Sequence, residues 1–406
     1  MRILDPGAGA GVLFAMCVET LISQKSRPHS IRVDAYETDS VILPHLEETM
    51  KRCQSLCTSG GIAFQGIVKS EDFVQAAIAG TTESLFAAPG ERYTHAILNP
   101  PYMKINSQTA MSRKLYSSGI KVANLYAVFV WLSMLLLEPG GQMVAITPRS
   151  FCNGPYFKKF RTAFLRTMSL KQIHIFGSRK KAFGDDDVLQ ENIIYHAVRG
   201  VQRPKSVTIS TSEGLDFGKA RILSIPYSRV VYLGDRDMFI HLDIDDAYTS
   251  PAERIKCFTS SLNRLGLTVS TGRVVDFRAR EHLRQASGQE TVPLIYPCHF
   301  LNGFIEWPVE PGKKPNAIML SCETSGLLVE GGFYVLTKRF SSKEQLRRVM
   351  AAVYDLTRID ARFVGFENYL NYFHKQGSGL PADLAKGLTL YLNSTIVDQY
   401  FRLFSA

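Results

Sequence analysis

The sequence predicts an α/β fold: an open, largely parallel sheet in the first half, followed by a mixed α+β region. Three observations carry that expectation. Apolar, strand-like runs alternate with helix-length stretches through the first 200 residues. The first run, Ile3-Leu4, passes into Asp5-Pro6-Gly7-Ala8-Gly9-Ala10-Gly11, a glycine-spaced turn that opens a helix. After Gly200-Val201-Gln202-Arg203-Pro204-Lys205 the helical rhythm gives way to short strands and turns, which places a boundary near residue 202 and divides the chain into 1–202 and 203–406.

Strands are expected near residues 2–5, 31–37, 62–68, 93–99, 142–147, 171–176 and 192–198. The helix after the glycine turn carries Leu13, Met16, Cys17 and Leu21 at three- and four-residue spacing, which predicts its buried face. The second strand alternates and ends in an acid, Glu37. The third leads to Ser70-Glu71-Asp72-Phe73. The fourth runs through Ala96-Ile97-Leu98 and stops at Asn99-Pro100-Pro101-Tyr102, because two prolines forbid further pairing. Leu125 to Leu137 is apolar but too short to span a bilayer. It reads as a buried helix capped by Asn124 and ended by Glu138-Pro139-Gly140-Gly141.

Composition narrows the class. A length of 406 residues suits about two domains, each with its own core. With 47 Lys and Arg against 37 Asp and Glu, the net charge is +10 and favours a polyanionic partner, although a generically basic soluble protein fits charge alone equally well. The seven cysteines form no Cys-x-x-Cys pair and no zinc-ligand pattern, so no metal and reduced intracellular thiols are expected. No signal-peptide pattern opens the sequence, and a cytoplasmic protein without a membrane partner is expected.

The turns suggest the chemistry. Glycines let backbone approach a ligand closely, and the helix start offers free N–H groups. Asp5 inside that turn would repel a phosphate and suits a cation or a hydroxyl. Glu37 suits a ribose diol, and Asp72 with Phe73 suits the frame of an adenine ring. Each acid alone is equally a helix cap or a solvated strand end; their order links them. Asn99-Pro100-Pro101-Tyr102 presents one amide, one proline carbonyl and one aromatic face, a geometry for holding a flat amine-bearing ring edge-on. The same residues also fit a proline-rich loop with Tyr102 as packing.

This ordered set resembles the S-adenosylmethionine-dependent N6-adenine DNA methyltransferases of type II restriction–modification systems, in the gamma order: cofactor motif, Asn-Pro-Pro-Tyr turn, then DNA-reading domain. Asp5 to Gly11 is similar to the first cofactor motif, Glu37-Thr38-Asp39 to the second, and Asp72-Phe73 to the adenine-contacting pair. Ile146-Thr147-Pro148-Arg149-Ser150-Phe151 and Gly154-Pro155-Tyr156-Phe157 also match stretches of such enzymes. Ala182-Phe183-Gly184 with Val188-Leu189-Gln190-Glu191-Asn192 resembles the motif whose aromatic stacks on a flipped base.

The resemblance implies a Rossmann-like seven-stranded catalytic domain, its last strand inserted antiparallel, followed by a target-recognition domain. It implies S-adenosylmethionine held by Asp5, Gly7, Gly9, Glu37, Asp72 and Phe73. It also implies catalysis by Asn99, Pro100, Tyr102 and Phe183, with Phe176 the second choice for the far stacking face. Double-stranded DNA is the implied substrate, a cognate restriction endonuclease the functional partner, and a monomer in a bacterial or archaeal cytoplasm the expected form.

In the second half Arg273, Arg278, Arg280 and Arg284 follow Ser270-Thr271-Gly272. Tyr296, His299, Phe300, Phe304, Trp307 and Lys313-Lys314 come next, then Lys338-Arg339, Lys343, Arg347 and Arg348. As a set these suit phosphate neutralisation and guanine-edge contacts, although any single arginine taken alone reads first as a solvated charge. Arg273, Arg278 and Arg280 lie where the family's recognition region begins. Leu392-Asn393-Ser394 and Tyr400-Phe401-Arg402 resemble its last helix, with a packing role.

Three departures accompany the resemblance. The sequence opens directly on the first cofactor strand and ends at Phe404-Ser405-Ala406, so the segment that closes over the cofactor's methionine end and the rest of the recognition domain are expected from outside it. Leu13 replaces a common aromatic. Asn-Pro-Pro-Tyr turns also serve glutamine methylation in translation factors and guanine methylation in ribosomal RNA; a large carboxy-terminal domain argues against both. A DNA-specificity module with an incomplete catalytic half is the remaining alternative.

Overall fold

Residues 3–5 are fully buried, with Ile3 and Leu4 apolar, and a strand so placed demands partners on both edges. The computed structural model describes the chain apart from residues 84–91, 107, 123, 177–191, 201, 215, 233–234, 243–253, 256, 311, 342–344 and 405–406. Its first unit, Met1–Ile244, is built on one sheet. The strands are β1 (Arg2–Asp5), β2 (Ser30–Tyr36), β3 (Ala63–Lys69), β4 (Tyr93–Leu98) and β5 (Leu137–Pro148), then β6 (Met168–Phe176), β7 (Asn192–Arg199), β8 (Ser206–Ser212) and β9 (Arg221–Pro226). Their spatial order is β3-β2-β1-β4-β5-β7-β6-β8-β9. The first five pair in parallel, and β7 runs antiparallel between β5 and β6. That is the expected seven-stranded arrangement with its inserted last strand.

Helices cover both faces because alternate strand residues point to opposite sides. On one face Ile3, Val33 and Ala35 pack with Phe14 and Val18 of α1 (Val12–Ser23) and Leu46 and Met50 of α2 (Leu43–Ser59). On the other, Leu4, Ala96 and Leu98 pack with α3 (Phe73–Glu83), α5 (Leu125–Leu136) and α6 (Lys158–Thr167); α4 (Ala110–Ser117) precedes α5. Asn124 caps α5 by accepting the Tyr126 amide at 3.2 Å, as expected. The buried stripe of α1 differs from the expected one: Phe14 and Val18 are inside and Met16 is 58% exposed. This helix is apolar almost all round, so spacing alone could not choose its face.

The expected boundary near residue 202 falls inside this sheet. β8 pairs in parallel with β6 from Gln172↔Thr208 to Phe176↔Ser212, and β9 pairs antiparallel with β8. Backbone groups left open on the edge of β6 are thereby satisfied, and the compact unit continues to Ile244.

Arg161 locks part of this unit. Its guanidinium is fully buried and donates to the carbonyls of Phe151 (2.8 Å), Gly154 (3.0 Å) and Asp237 (2.9 and 2.6 Å). Arg161→Met should lower folding stability by about 3 kcal/mol or more, because buried carbonyls lose a charged donor. Arg161→Lys should recover only part, since an ammonium cannot reproduce the fork. Chemical denaturation checks both, and wild-type midpoints would refute the role.

The second unit, Asp245–Ala406, holds two sheets. One orders Thr268–Thr271, Leu370–His374, Tyr334–Lys338, Ala351–Tyr354, Phe304–Ile305 and Phe300–Leu301. The other orders Leu283–Arg284, Ala317–Met319, Thr291–Ile295, Phe363–Phe366 and Leu328–Glu330. The helix Ala382–Leu392 packs Ala385 and Leu388 onto the first sheet, and Asn393 exchanges two hydrogen bonds with the Ala351 backbone. This unit is the expected mixed α+β region. Tyr296 and His299, placed by sequence in a basic–aromatic series suited to DNA contact, are instead core residues at 1% exposure. Each has internal polar partners that make its burial tolerable. No helix among the described residues is long and apolar enough to cross a membrane.

Candidate active site

The carboxyl ends of β1, β2 and β4 lie side by side, where open α/β sheets bind ligands. β1 ends in Asp5, and the chain reverses through Gly7, Gly9 and Gly11 before α1 begins. Gly11 has φ +86°, and a Cβ there would sit 2.6 Å from the Phe14 ring, so only glycine fits this turn. Gly9 also has positive φ, with nothing within 4 Å of where a Cβ would stand. The turn is tied to β2 by the Ala8 amide, which donates to Tyr36 O at 2.9 Å.

Glu37 completes the tie. Its carboxylate accepts the amides of Gly9 (3.0 Å), Thr38 (2.7 Å) and Asp39 (2.8 Å). These bonds aim the acid at the glycine turn: Oε1 accepts two amides, and Oε2, bonded to Gly9 alone, keeps an acceptor site free. Asp72 caps α3 by accepting the Gln75 amide at 2.8 Å, and Phe73 is buried between Tyr36 and Phe129, each ring centroid 5.2 Å away.

Asn99 is exposed at the end of β4, and the buried Pro100 and the exposed Pro101 stiffen the turn that leads to Tyr102. Tyr102 is half-buried with its edge toward Tyr126 at 6.2 Å. Its hydroxyl donates to Ile146 O at 3.3 Å and lies 3.4 Å from Asn99 Oδ1, a contact at the long limit of hydrogen bonding. Burial pushes the Tyr102 phenol up to about 12, so it stays protonated at neutral pH.

One cleft of about 700 Å³ gathers most of these residues: Gly7, Gly9, Glu37, Asp72, Phe73 and Asn99 all line it. Asp5 stands apart from them. It is fully buried under the turn, outside the cleft's lining, and neither oxygen has a hydrogen-bond partner among the described residues. Burial pushes its carboxyl up to about 7; the nearby Gly7 amide offsets part of this and the Glu37 charge adds to it. The cleft also takes in Met111, Leu125 and Phe129, which sequence reading missed. Leu125 and Phe129 sit in a helix so apolar that no pattern marks the ligand-facing side.

Phe183 lies outside the described residues. Phe176 is half-buried at the end of β6, edge-on to His174 at 4.9 Å and to Phe217 at 6.3 Å. Arg273, Arg278 and Arg280 are exposed in the second unit, and Lys343 lies outside the described residues. Among the described residues no cluster of three or more metal-ligating side chains forms.

A family model described as Eco57I restriction-modification methylase matches residues 60–183. The type II methyltransferase M.PstI of Providencia stuartii is 41% identical over 403 residues, covering 99% of this chain and 78% of that protein. The chain belongs to the type II methyltransferases of restriction–modification systems. The methyltransferase M.BsuBI of Bacillus subtilis shows 41% identity over 407 residues, covering all of this chain and 79% of that one. The likeness to M.PstI and M.BsuBI runs through both units of this methyltransferase, so it spans the cleft and the two-sheet unit alike. Among solved structures, the type IIL restriction-modification enzyme MmeI in complex with DNA superposes with a TM-score of 0.51 at 11% identity, over 92% of this chain and 56% of that one. That likeness shows the shared fold.

Proposed function

We propose that this methyltransferase moves a methyl group from S-adenosylmethionine to the exocyclic N6 amine of an adenine flipped out of duplex DNA. The observation that carries the reading is the shared cleft: the Asn99 turn opens into the same space as the glycine turn and Glu37. The residues present suit the cofactor. Glycines without Cβ atoms admit close backbone approach, and Glu37 Oε2 retains an acceptor site for a ribose hydroxyl. Asp5, partly ionised near pH 7 beneath the turn, sets a negative field that disfavours a phosphate there. Asp72 and Phe73 line the same cleft and suit the frame of an adenine. When bound, S-adenosylmethionine supplies an electrophilic methyl group on a sulfonium.

The chain's own residues supply position and electrostatics. An adenine amine is a poor nucleophile because its lone pair is delocalised into the ring. Asn99 Oδ1 and the Pro100 carbonyl each accept one amine hydrogen, which draws the nitrogen toward tetrahedral geometry and frees the lone pair. The rigid prolines hold both acceptors in place before substrate arrives, so little reorganisation is needed. Tyr102 stacks on one face of the base and Phe183 on the other. Stacking of roughly 1–3 kcal/mol per aromatic offsets the few kcal/mol of unstacking that extrusion costs.

The second unit reads the sequence around the target, and Arg273, Arg278 and Arg280 contact the DNA. Identity with type II enzymes through both units supports DNA over RNA or protein as substrate. A restriction endonuclease of the same site preference is the functional partner in a bacterial cytoplasm, and the methyltransferase acts as a monomer.

The test is methylation of plasmid DNA by the purified protein, read by base-resolved sequencing. N6-methyladenine at one recurring sequence is expected. Methylcytosine alone, or incorporation into RNA or protein with DNA untouched, would overturn the reading.

A further inference from the structure

The second unit engages its acids with partners of its own and turns an aromatic ring outward at one pair of turns. Val274 N donates to Phe366 O (3.0 Å), Asn368 N to Val274 O (2.9 Å) and Gly272 N to Leu370 O (2.8 Å), which staples residues 272–274 to 366–370. Gly272 approaches so closely that a Cβ there would meet Glu367 O at 2.1 Å. Beyond the staple, Arg278 N and Ala279 N both donate to Val275 O and close a tight turn over Asp276-Phe277-Arg278. Val274 and Ala279, at either end of it, are core residues.

Both acids of these segments are consumed internally. Asp276 accepts the Tyr296 hydroxyl on one oxygen and the Lys314 ammonium on the other, each at 2.7 Å. Glu367 is buried and accepts the Tyr369 amide at 2.9 Å. What remains outward is Phe277, 76% exposed, with the Arg278 guanidinium 5.5 Å over its ring; Arg280 is exposed a few residues on, and Arg273, also exposed, donates to the carbonyls of Gly326 and Leu328. The neighbouring turn adds exposed Tyr369, edge to face with exposed Phe340 at 5.6 Å, and Arg339 lies over the Phe340 ring.

A phenylalanine held in water by a turn anchored on both sides contributes nothing to the core. Flexibility does not explain it either, because the turn is pinned by backbone and side chains alike. A rigid ring with a guanidinium over its face, in a turn whose own carboxylate is paired with Lys314, is complementary to bases framed by phosphates. We propose that the Asp276–Arg278 turn is a sequence-reading element, with Phe277 making an apolar contact to a base of the recognition sequence. Asp276 is its positioning residue, holding the tip through Tyr296 and Lys314. The inference rests on the second unit being the DNA-recognition part, but not on which base is methylated.

The full chain is used to enrich duplexes from a random-sequence pool by binding alone. Affinity is then measured for the enriched duplex and for single-base-pair variants at two salt concentrations. Phe277→Ala should lose at least tenfold of discrimination at one position of the site, with its salt dependence and S-adenosylmethionine binding unchanged. Phe277→Trp should retain most of it. Asp276→Asn should fall between, because it keeps the Tyr296 contact and loses the charge that holds Lys314. Wild-type discrimination in Phe277→Ala would overturn the proposal, as would failure of the unmutated chain to enrich any sequence. Methylated-base mapping is judged separately, so a wrong target base and a wrong reading element give different results.

Discussion

Asn99→Ala should lower DNA methylation roughly 100- to 1,000-fold while leaving S-adenosylmethionine binding intact. The side chain is exposed in the cleft and carries none of its shape: the turn around it is stiffened by Pro100 and Pro101, and its contact to the Tyr102 hydroxyl is 3.4 Å long. Removing it deletes one of two acceptors for the amine hydrogens and nothing that orders the glycine turn. Loss of one preorganised polar group of this kind costs a factor of roughly 100 to 1,000 in turnover. Asn99→Asp keeps an acceptor at the same place and should retain a fraction of the activity. Single-turnover methylation beside an equilibrium cofactor titration checks both variants. If the alanine variant also loses the cofactor, Asn99 belongs to the architecture of the cleft and the clamp assignment fails.

Asp5→Asn should make stability less dependent on pH. The Asp5 carboxyl is pushed from an ordinary 3.8 to about 7 by burial, with the Glu37 charge adding to the effect. Below pH 4 it is protonated in folded and unfolded chains alike and costs nothing. Between pH 4 and 7 the unfolded chain has released the proton that the folded chain retains, so stability falls as pH rises. Above 7 both are ionised and the penalty levels off at about 4 kcal/mol, at about 1.36 kcal/mol per pH unit. An asparagine carries no such dependence, and its own unsatisfied amide adds a cost that does not vary with pH. Relative to wild type, Asp5→Asn should therefore gain roughly 3 kcal/mol between pH 5 and pH 8. Urea denaturation at the two pH values measures it; parallel changes in both proteins would show that Asp5 has a partner in the folded state.

The catalytic half was legible because its signals are local. Alternating apolar runs predicted seven strands, and each is found within a few residues of its expected place, up to the antiparallel β7. The boundary at 202 was not legible. Ser206–Ser212 and Arg221–Pro226 resemble the short strands of the second unit, and only the pairing of Gln172 with Thr208 assigns them to the first sheet. Arg161 escaped notice for a similar reason. A lone arginine in a helix reads as a surface charge until three carbonyls, one of them 76 residues away, converge on it.

Residue order by itself determined the succession of strands, the glycine turn and the stiff Asn99-Pro100-Pro101-Tyr102 corner, since periodicity and proline stereochemistry act over a few neighbours. It also determined the family, through the order in which those turns recur. The tertiary structure alone decided that Gly7, Gly9, Glu37, Asp72 and Asn99 share one cleft, and that Asp5 lies beneath it unpartnered. It alone decided that Tyr296 is core while Phe277 stands in solvent. Burial and pairing are set by segments tens to hundreds of residues apart, and one residue's shift in strand register would exchange inside for outside.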